Sequence, residues 1–69
     1  MSELGATIRT LRTSRGLSLS KLARAAGLSK AHIHEIEQGR ADNPSVDSLV
    51  GLAAALGVPA VGLFRAAMK

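Results

Sequence analysis

Residues 17–39, LSLSKLARAAGLSKAHIHEIEQG, decide the fold of this 69-residue chain. Apolar residues recur at helical spacing on both sides of Gly27, which predicts one helix over residues 19–26 and another over 30–38. A serine stands immediately before each helix, where its hydroxyl can accept a hydrogen bond from an unpaired backbone N–H group. Gly27 is expected to end the first helix, because glycine adopts the left-handed conformation without steric cost.

Two short helices joined by a tight glycine turn form the helix-turn-helix unit. In proteins that use it to bind DNA, the second helix enters the major groove. A formal net charge of +4 and a sequence pI of about 10.8 favour an anionic partner, nucleic acid before membrane. The same charge would also be compatible with a role in solubility alone.

The rest of the chain extends this pattern to five helices. Besides those at 19–26 and 30–38, we expect helices at about residues 3–15, 46–56 and 60–67, with Ser2 as the first N-cap. A chain of this length holds one domain, here residues 1–69. Cysteine is absent and Phe64 is the only aromatic residue, which argues against disulfides, β-sandwiches and base-stacking platforms. The expected fold class is therefore all-α.

Several functions are excluded by what the sequence lacks. It contains no phosphate-binding loop, no nucleophile with a neighbouring base and no carboxylate pair, so an enzyme is not expected. No apolar run approaches the roughly 18 residues of a membrane span, and the N-terminus does not read as a signal peptide. We therefore expect a cytoplasmic protein without a small-molecule ligand or cofactor.

Two histidines suggest a metal site, but their spacing argues against one. His32 and His34 would point about 200° apart on a helix, so they cannot share a metal ion.

Gly51 lies inside helix 4, where glycine costs up to ~1 kcal/mol relative to alanine. Either another helix approaches closely there or the glycine is tolerated on the surface, and the sequence leaves both open.

Three stretches carry a family resemblance: IRTLRTSRGLSLSKLA (8–23), AGLSKAHIHEIEQGR (26–40) and NPSVDSLVGLAAALGVP (43–59). Together they resemble the Cro/lambda-repressor helix-turn-helix family, also called XRE-like regulators, over roughly residues 4–64. The resemblance implies a compact, five-helix, lambda-repressor-like domain. It also implies a bacterial or phage-type transcriptional regulator, associated with the nucleoid, that binds a palindromic double-stranded DNA operator as a homodimer.

The resemblance also implies roles for individual residues. In family members the first turn and outward face of helix 3 meet base edges, which correspond here to Ser29, Lys30, Ala31, His34 and Glu35. Polar residues around helix 3 contact phosphates, and the candidates here are Lys21, Arg24, His32, Gln38, Arg40 and Asn43. The family often has glutamine at the start of helix 2 as a further phosphate contact, whereas this chain has Leu19.

Each of these assignments has an alternative. Lys30 is the best candidate to read guanine through O6 and N7, but it would also suit a plain phosphate contact. Ala31 offers only an apolar contact, suited to a thymine methyl. Glu35 could accept from cytosine N4 or repel phosphate at wrong sequences. His32 could pack at the turn, and some of the cations, Lys21 above all, could be ordinary solvated charges.

Two further sets of residues have structural roles in the family. Arg12 and Glu37 fall on apolar faces where helix 1 would pass helix 3, and family members often join this pair in a buried salt bridge. The C-terminal end often forms the dimer contact, which corresponds here to Val58, Val61, Leu63 and Phe64, with Phe64 as the expected anchor. The alternative is that these four side chains simply complete the core of the monomer.

Two other functions remain compatible with the sequence. An antitoxin-like protein would bind DNA through the same unit and also neutralise a protein partner. Only residues 65–69 follow the matched region, which is short for a toxin-binding tail. A pure interaction module that has lost DNA specificity is disfavoured by the basic charge balance and by Lys30, Gln38 and Arg40 at DNA-facing positions.

Overall fold

The computed structural model describes residues 3–40 and 44–68. Within these ranges the chain forms helices and turns and no strand, which confirms the all-α class. The expected N-cap Ser2 lies outside the described residues. The five helices are α1 (Glu3–Ser14), α2 (Leu19–Ala26), α3 (Lys30–Glu37), α4 (Val46–Leu56) and α5 (Ala60–Ala67).

Two helices end one residue earlier than expected. Helix α1 stops at Ser14 rather than at residue 15, and α3 stops at Glu37, with Gln38 as its C-cap. In each case a glycine with positive φ follows shortly after and turns the chain away from the helix axis. None of the helices in the described ranges has the length and apolar character that crossing a membrane requires.

The turn between α2 and α3 is built from short-range hydrogen bonds. Gly27 adopts φ 73° and ψ 28°, and its N–H group donates to the carbonyls of Ala23 and Arg24. The Ser29 hydroxyl then accepts a hydrogen bond from the backbone N–H of His32 at 3.0 Å, which begins α3. An equivalent serine cap begins α2. These bonds satisfy backbone groups at the helix ends and fix the direction in which α3 leaves the turn.

The helices enclose one apolar core. Helix α3 packs against α1 and α2, α4 packs against α2 and α5, and α5 returns to α1. Every helix supplies at least one side chain that is less than 2% exposed: Ile8, Leu22, Ile33, Ile36, Leu52, Leu56 and Leu63. Burying an aliphatic side chain of this size contributes about 1.5–3 kcal/mol, so the two isoleucines of α3 are its main apolar anchors.

Glycines allow two of the helix contacts to be very close. A Cβ atom at Gly51 would lie 2.6 Å from the carbonyl oxygen of Ala26, so α4 passes directly over the end of α2. This resolves the two alternatives for Gly51 in favour of close helix approach. A Cβ at Gly5 would lie 2.5 Å from the carbonyl oxygen of Ile36 and 2.7 Å from that of Glu37. Helix α1 therefore rests on the last turn of α3.

An ion pair connects the C-terminal end of α3 to α1. The Nε–H of Arg12 donates to Oε2 of Glu37 at 2.7 Å, and Nη2 donates to Oε1 at 3.1 Å. A third bond runs from Nη1 to the carbonyl oxygen of Leu17 at 2.8 Å. The two side chains are only 14% and 4% exposed, respectively. The expected pair is thus present, and it also fastens the turn that precedes α2.

Replacing Glu37 by alanine should unfold much of the population. The change leaves the Arg12 guanidinium partly buried without its carboxylate, a loss of about 3–5 kcal/mol in a small domain. Glu35→Ala is the matched control on the same helix. Its side chain is exposed, so its effect should stay within about 0.5 kcal/mol. Thermal unfolding followed by circular dichroism measures both, and equal melting temperatures would refute the role given to the ion pair.

Gly51→Ala should also destabilise the protein. The new methyl group meets a backbone carbonyl that cannot turn aside, an overpacking cost of about 1–3 kcal/mol. The gain in helix propensity, up to ~1 kcal/mol, offsets only part of this cost. Ala54→Ser, at an exposed position one turn along α4, should change stability little. An unchanged or raised free energy of unfolding for Gly51→Ala would contradict the close approach.

Candidate nucleic-acid interface

Helix α3 turns one polar face outward. Lys30, Ala31, His34 and Glu35 are all exposed, and residues three or four apart in this set share a side of the helix. The opposite side, formed by Ile33, Ile36 and Glu37, is buried. The structure therefore brings the expected base-reading residues of the helix together on one surface. That surface offers an ammonium, a methyl group, an imidazole and a carboxylate.

Ser29 and His32 lie at the edge of this surface. The Ser29 side chain is exposed, and its oxygen is engaged in capping α3. A hydroxyl has one donor and two acceptor positions, so the capping bond leaves its hydrogen able to donate outward. His32 is half-buried beside the turn, on a different side of the helix from His34. Among the described residues no cluster of three or more histidine, cysteine, aspartate or glutamate side chains could hold a metal ion.

Polar and cationic side chains are exposed on the elements that precede and follow α3. Lys21 and Arg24 are exposed on α2, and Gln38 and Arg40 are exposed just beyond the end of α3. The backbone N–H of Arg40 donates to the carbonyl of Glu35 at 2.9 Å, so the start of its side chain is fixed relative to α3. Asn43, the remaining phosphate candidate, lies outside the described residues.

The opposite charges of Arg12 and Glu37, on the buried side of α3, neutralise each other within the protein. The hydrogen bonds that Arg12 donates to the Glu37 carboxylate raise the pKa of Arg12 above its ordinary value, although burial acts in the opposite direction. Because this pKa is higher in the folded protein than in the unfolded chain, the contribution of Arg12 to stability is fully present across the neutral range and is lost only as the pH rises through the raised pKa. The charges that this region presents to solvent therefore belong to Lys30 and Glu35 of α3 and to the exposed cations of the neighbouring elements, Lys21, Arg24 and Arg40.

The start of α2 departs from the family pattern in the structure as well. Leu19 is half-buried and packs against the apolar core. At this position the side chain therefore adds to the packing of α2, where family members commonly present an amide to DNA.

One of the four expected dimer residues lies in the core of the monomer. Val61 is 53% exposed, while Val58 and Phe64 are half-buried against the core. Leu63 is a correction: its side chain is 1% exposed and belongs to the core of the monomer, so it is unavailable to a partner. Residues two apart on a helix point about 200° apart, which separates Leu63 from Val61.

Sequence reasoning missed two contributors to the site. Gly5 lets α1 reach the backbone of α3, and its only signal was a glycine inside a predicted helix, one turn before the buried Ile8. The Leu17 carbonyl accepts the third hydrogen bond of Arg12. Every residue carries a carbonyl, so no side-chain pattern could have pointed to this one.

Comparison with known proteins places the chain in a family. Residues 3–64 match the model of the family described as a helix-turn-helix domain. The chain is 40% identical over 67 residues to RghRB, an HTH-type transcriptional regulator of Bacillus subtilis strain 168. That match covers 97% of this chain and 48% of RghRB. The chain thus spans about half or less of the length of the curated relatives it matches.

Solved structures agree with this match. The restriction-modification controller protein C.AhdI from Aeromonas hydrophila superposes with a TM-score of 0.84 at 35% identity, covering 90% of this chain and 92% of that one. SinR, the master regulator for biofilm formation, solved in complex with DNA, superposes with a TM-score of 0.83 at 36% identity, covering 88% and 97%. The chain therefore belongs to the helix-turn-helix family of XRE-like transcriptional regulators, a family of DNA-binding proteins that are not enzymes.

Proposed function

We propose that this protein is a sequence-specific regulator that binds a palindromic double-stranded DNA operator as a homodimer and reads the major groove with α3. The observation that carries this proposal is the outward face of α3, which is exposed while its back is fixed by Ile33, Ile36 and the ion pair to Arg12. A reading helix needs this combination, because base edges are discriminated only by side chains held in one orientation. The similarity to SinR, solved in complex with DNA, supports the same conclusion.

Base recognition is assigned to the first turn of α3 and the next. Lys30 would donate to O6 and N7 of guanine, the acceptors that the major groove presents at a G·C pair. Ala31 offers its methyl group to thymine, and Glu35 can accept from cytosine N4. Ser29 and His34 complete the same surface as polar contacts.

Phosphate binding is assigned to the rim of that face. Arg40 and Gln38 follow α3, Lys21 and Arg24 lie on α2, and His32 lies beside the turn. Such contacts set the register of a protein on the duplex without reading its sequence. Asn43 belongs to the same group by its position in the sequence.

The short length of α3 supports binding as a homodimer. Helix α3 has eight residues and is therefore about 12 Å long, which covers only a small part of one helical turn of DNA. Two copies related by a twofold axis would present their α3 helices about 34 Å apart, which matches successive major grooves. A dimer bound across a promoter obstructs transcription, so repression, including of its own gene, is the proposed regulatory outcome. The protein would act on nucleoid DNA in the cytoplasm.

Selection from a pool of labelled random duplexes tests the proposal. The label must be on the DNA, because the chain has no tryptophan or tyrosine. Recovery of a twofold symmetric site with half-sites about one helical turn apart is the expected result. Salt-dependent binding without any consensus would contradict sequence-specific reading.

Lys30→Ala should erase the preference for one base in each half-site, because the bidentate donor is lost. The expected loss of discrimination is about 1–3 kcal/mol at that position, with other positions unchanged. Lys30→Arg is the matched control, since arginine donates to the same two acceptors and should keep the preference for guanine. Fluorescence polarisation with single-base operator variants measures both. A uniform loss across all sequences would instead make Lys30 a phosphate contact.

Arg40→Ala should weaken binding to every sequence alike. One cationic phosphate contact is lost, so the slope of log K against log salt should fall by about one for each bound protomer. Arg65→Ala removes an exposed cation from α5, which packs on α1 and α4, and should leave the slope unchanged. Polarisation over a series of salt concentrations measures the slope, and an equal effect of the two variants would exclude a specific role for Arg40.

A further inference from the structure

Ala31 and Glu35 form one row on the outward face of α3. Both side chains are exposed, and residues four apart on a helix lie on the same side, with Cβ atoms about 5–6 Å apart. Side chains on a helix lean toward its N-terminus, so the Glu35 carboxylate extends over the turn that carries Ala31. A methyl group and a carboxylate are therefore presented side by side.

The protein uses neither of these side chains to hold α3 in place. The buried side of the helix is formed by Ile33, Ile36 and Glu37. Within the described parts of the chain, the Glu35 carboxylate has no hydrogen-bond or ion-pair partner. A carboxylate that approaches DNA is repelled by the phosphates, and a hydrogen-bond donor on a base edge is what offsets this repulsion.

The two groups require different features of a base edge. A carboxylate only accepts hydrogen bonds, so Glu35 needs an amino donor, which cytosine presents as N4 and adenine as N6. Ala31 offers only a methyl group, which suits a base that carries a methyl group itself. Thymine has that methyl, but its neighbouring O4 is an acceptor and repels a carboxylate, while adenine has no methyl. Cytosine methylated at C5 carries the amino donor and the methyl group on adjacent ring atoms.

We propose that the row of Ala31 and Glu35 reads 5-methylcytosine, with Glu35 accepting from N4 and Ala31 packing on the 5-methyl group of the same base. This inference rests on the proposed reading of DNA by α3 and names a modified base in its operator. It joins on one base the two contacts assigned above to thymine and cytosine. Lys30 lies about 100° around the helix from Ala31, so it addresses a different base. Binding would then follow the methylation state of the operator.

Selection from two pools of random duplexes locates the modified base. The pools are identical except that one contains 5-methylcytosine in place of cytosine. Fluorescence polarisation then compares synthetic operators with and without the methyl group at each cytosine. Methylation at one position of each half-site should tighten binding roughly fourfold per half-site, since burying one methyl group has about this effect. Methylation of the other cytosines should not tighten binding.

Ala31→Gly should bring the preference for the methylated operator close to one. The preference is a ratio of two affinities measured on the same variant, so any loss of folded protein cancels. Ala54→Gly is the matched control, because it removes an exposed methyl group from α4 and should keep the roughly fourfold ratio.

Glu35→Ala tests the other half of the contact through a change of sign. The variant should bind the methylated operator about tenfold or more weakly than wild type does, because the acceptor for N4 is lost. It should bind an operator with thymine at the same position more tightly than wild type does, because the carboxylate that repels O4 is gone. A general loss of folding cannot produce the second result.

The other outcomes separate this inference from the proposed function. Equal binding of methylated and unmethylated operators by wild type would overturn the inference, and so would a full methyl preference in Ala31→Gly. If replacing a neighbouring thymine by deoxyuridine weakens binding while cytosine methylation has no effect, Ala31 contacts thymine and the inference is also overturned. In these cases sequence-specific binding stands. If neither pool yields a consensus, the proposed function fails and the inference fails with it.

Discussion

The hydrogen-bonded contact between Arg12 and Glu37 is the constraint on which the position of α3 depends. A helix of eight residues is not stable alone in water, so α3 owes its shape to the contacts on its inner side. Ile33 and Ile36 supply apolar contacts, which allow some sliding, whereas a bidentate guanidinium–carboxylate pair fixes a direction. Because the same guanidinium also donates to the Leu17 carbonyl, the start of the helix-turn-helix unit and the end of its second helix are set by one side chain.

Helix α1 supports this arrangement at two points on one side. Gly5 and Arg12 are seven residues apart, close to two helical turns, so both face α3. At Gly5 the backbone of α1 meets the carbonyl of Glu37, and at Arg12 a long side chain reaches the carboxylate of the same residue. Residue 37 is therefore held through its backbone and its side chain together. The outward face of α3 can carry unlike chemical groups because none of them is needed to hold the helix.

Sequence patterns predicted the elements of this fold better than the contacts between them. Serine caps and left-handed glycines act within a few residues, so the boundaries of α2 and α4 could be predicted from local rules alone. Arg12 and Glu37 were recognisable as charges on apolar faces. Gly51 was ambiguous because its contact, Ala26, lies 25 residues earlier in the chain and becomes a neighbour only after α2 and α4 have packed. The family resemblance suggested a dimer contact for Leu63, but it does not show which side of α5 faces α1 and α4, and the structure buries this side chain in the core of the monomer.

Helical periodicity also explains how so small a chain can offer two unlike surfaces. Helix α3 buries isoleucine and exposes polar groups, whereas α5 buries Leu63 and exposes Val61 and Met68. Both helices pack on α1, and they are also connected through α2 and α4, so these three helices together set the distance and angle between them. In a dimer that docks through α5, the separation of the two reading helices would depend on the contacts of α1 in each protomer. The contacts of α1 would then govern which half-site spacing is accepted, while the outward residues of α3 govern which bases are read.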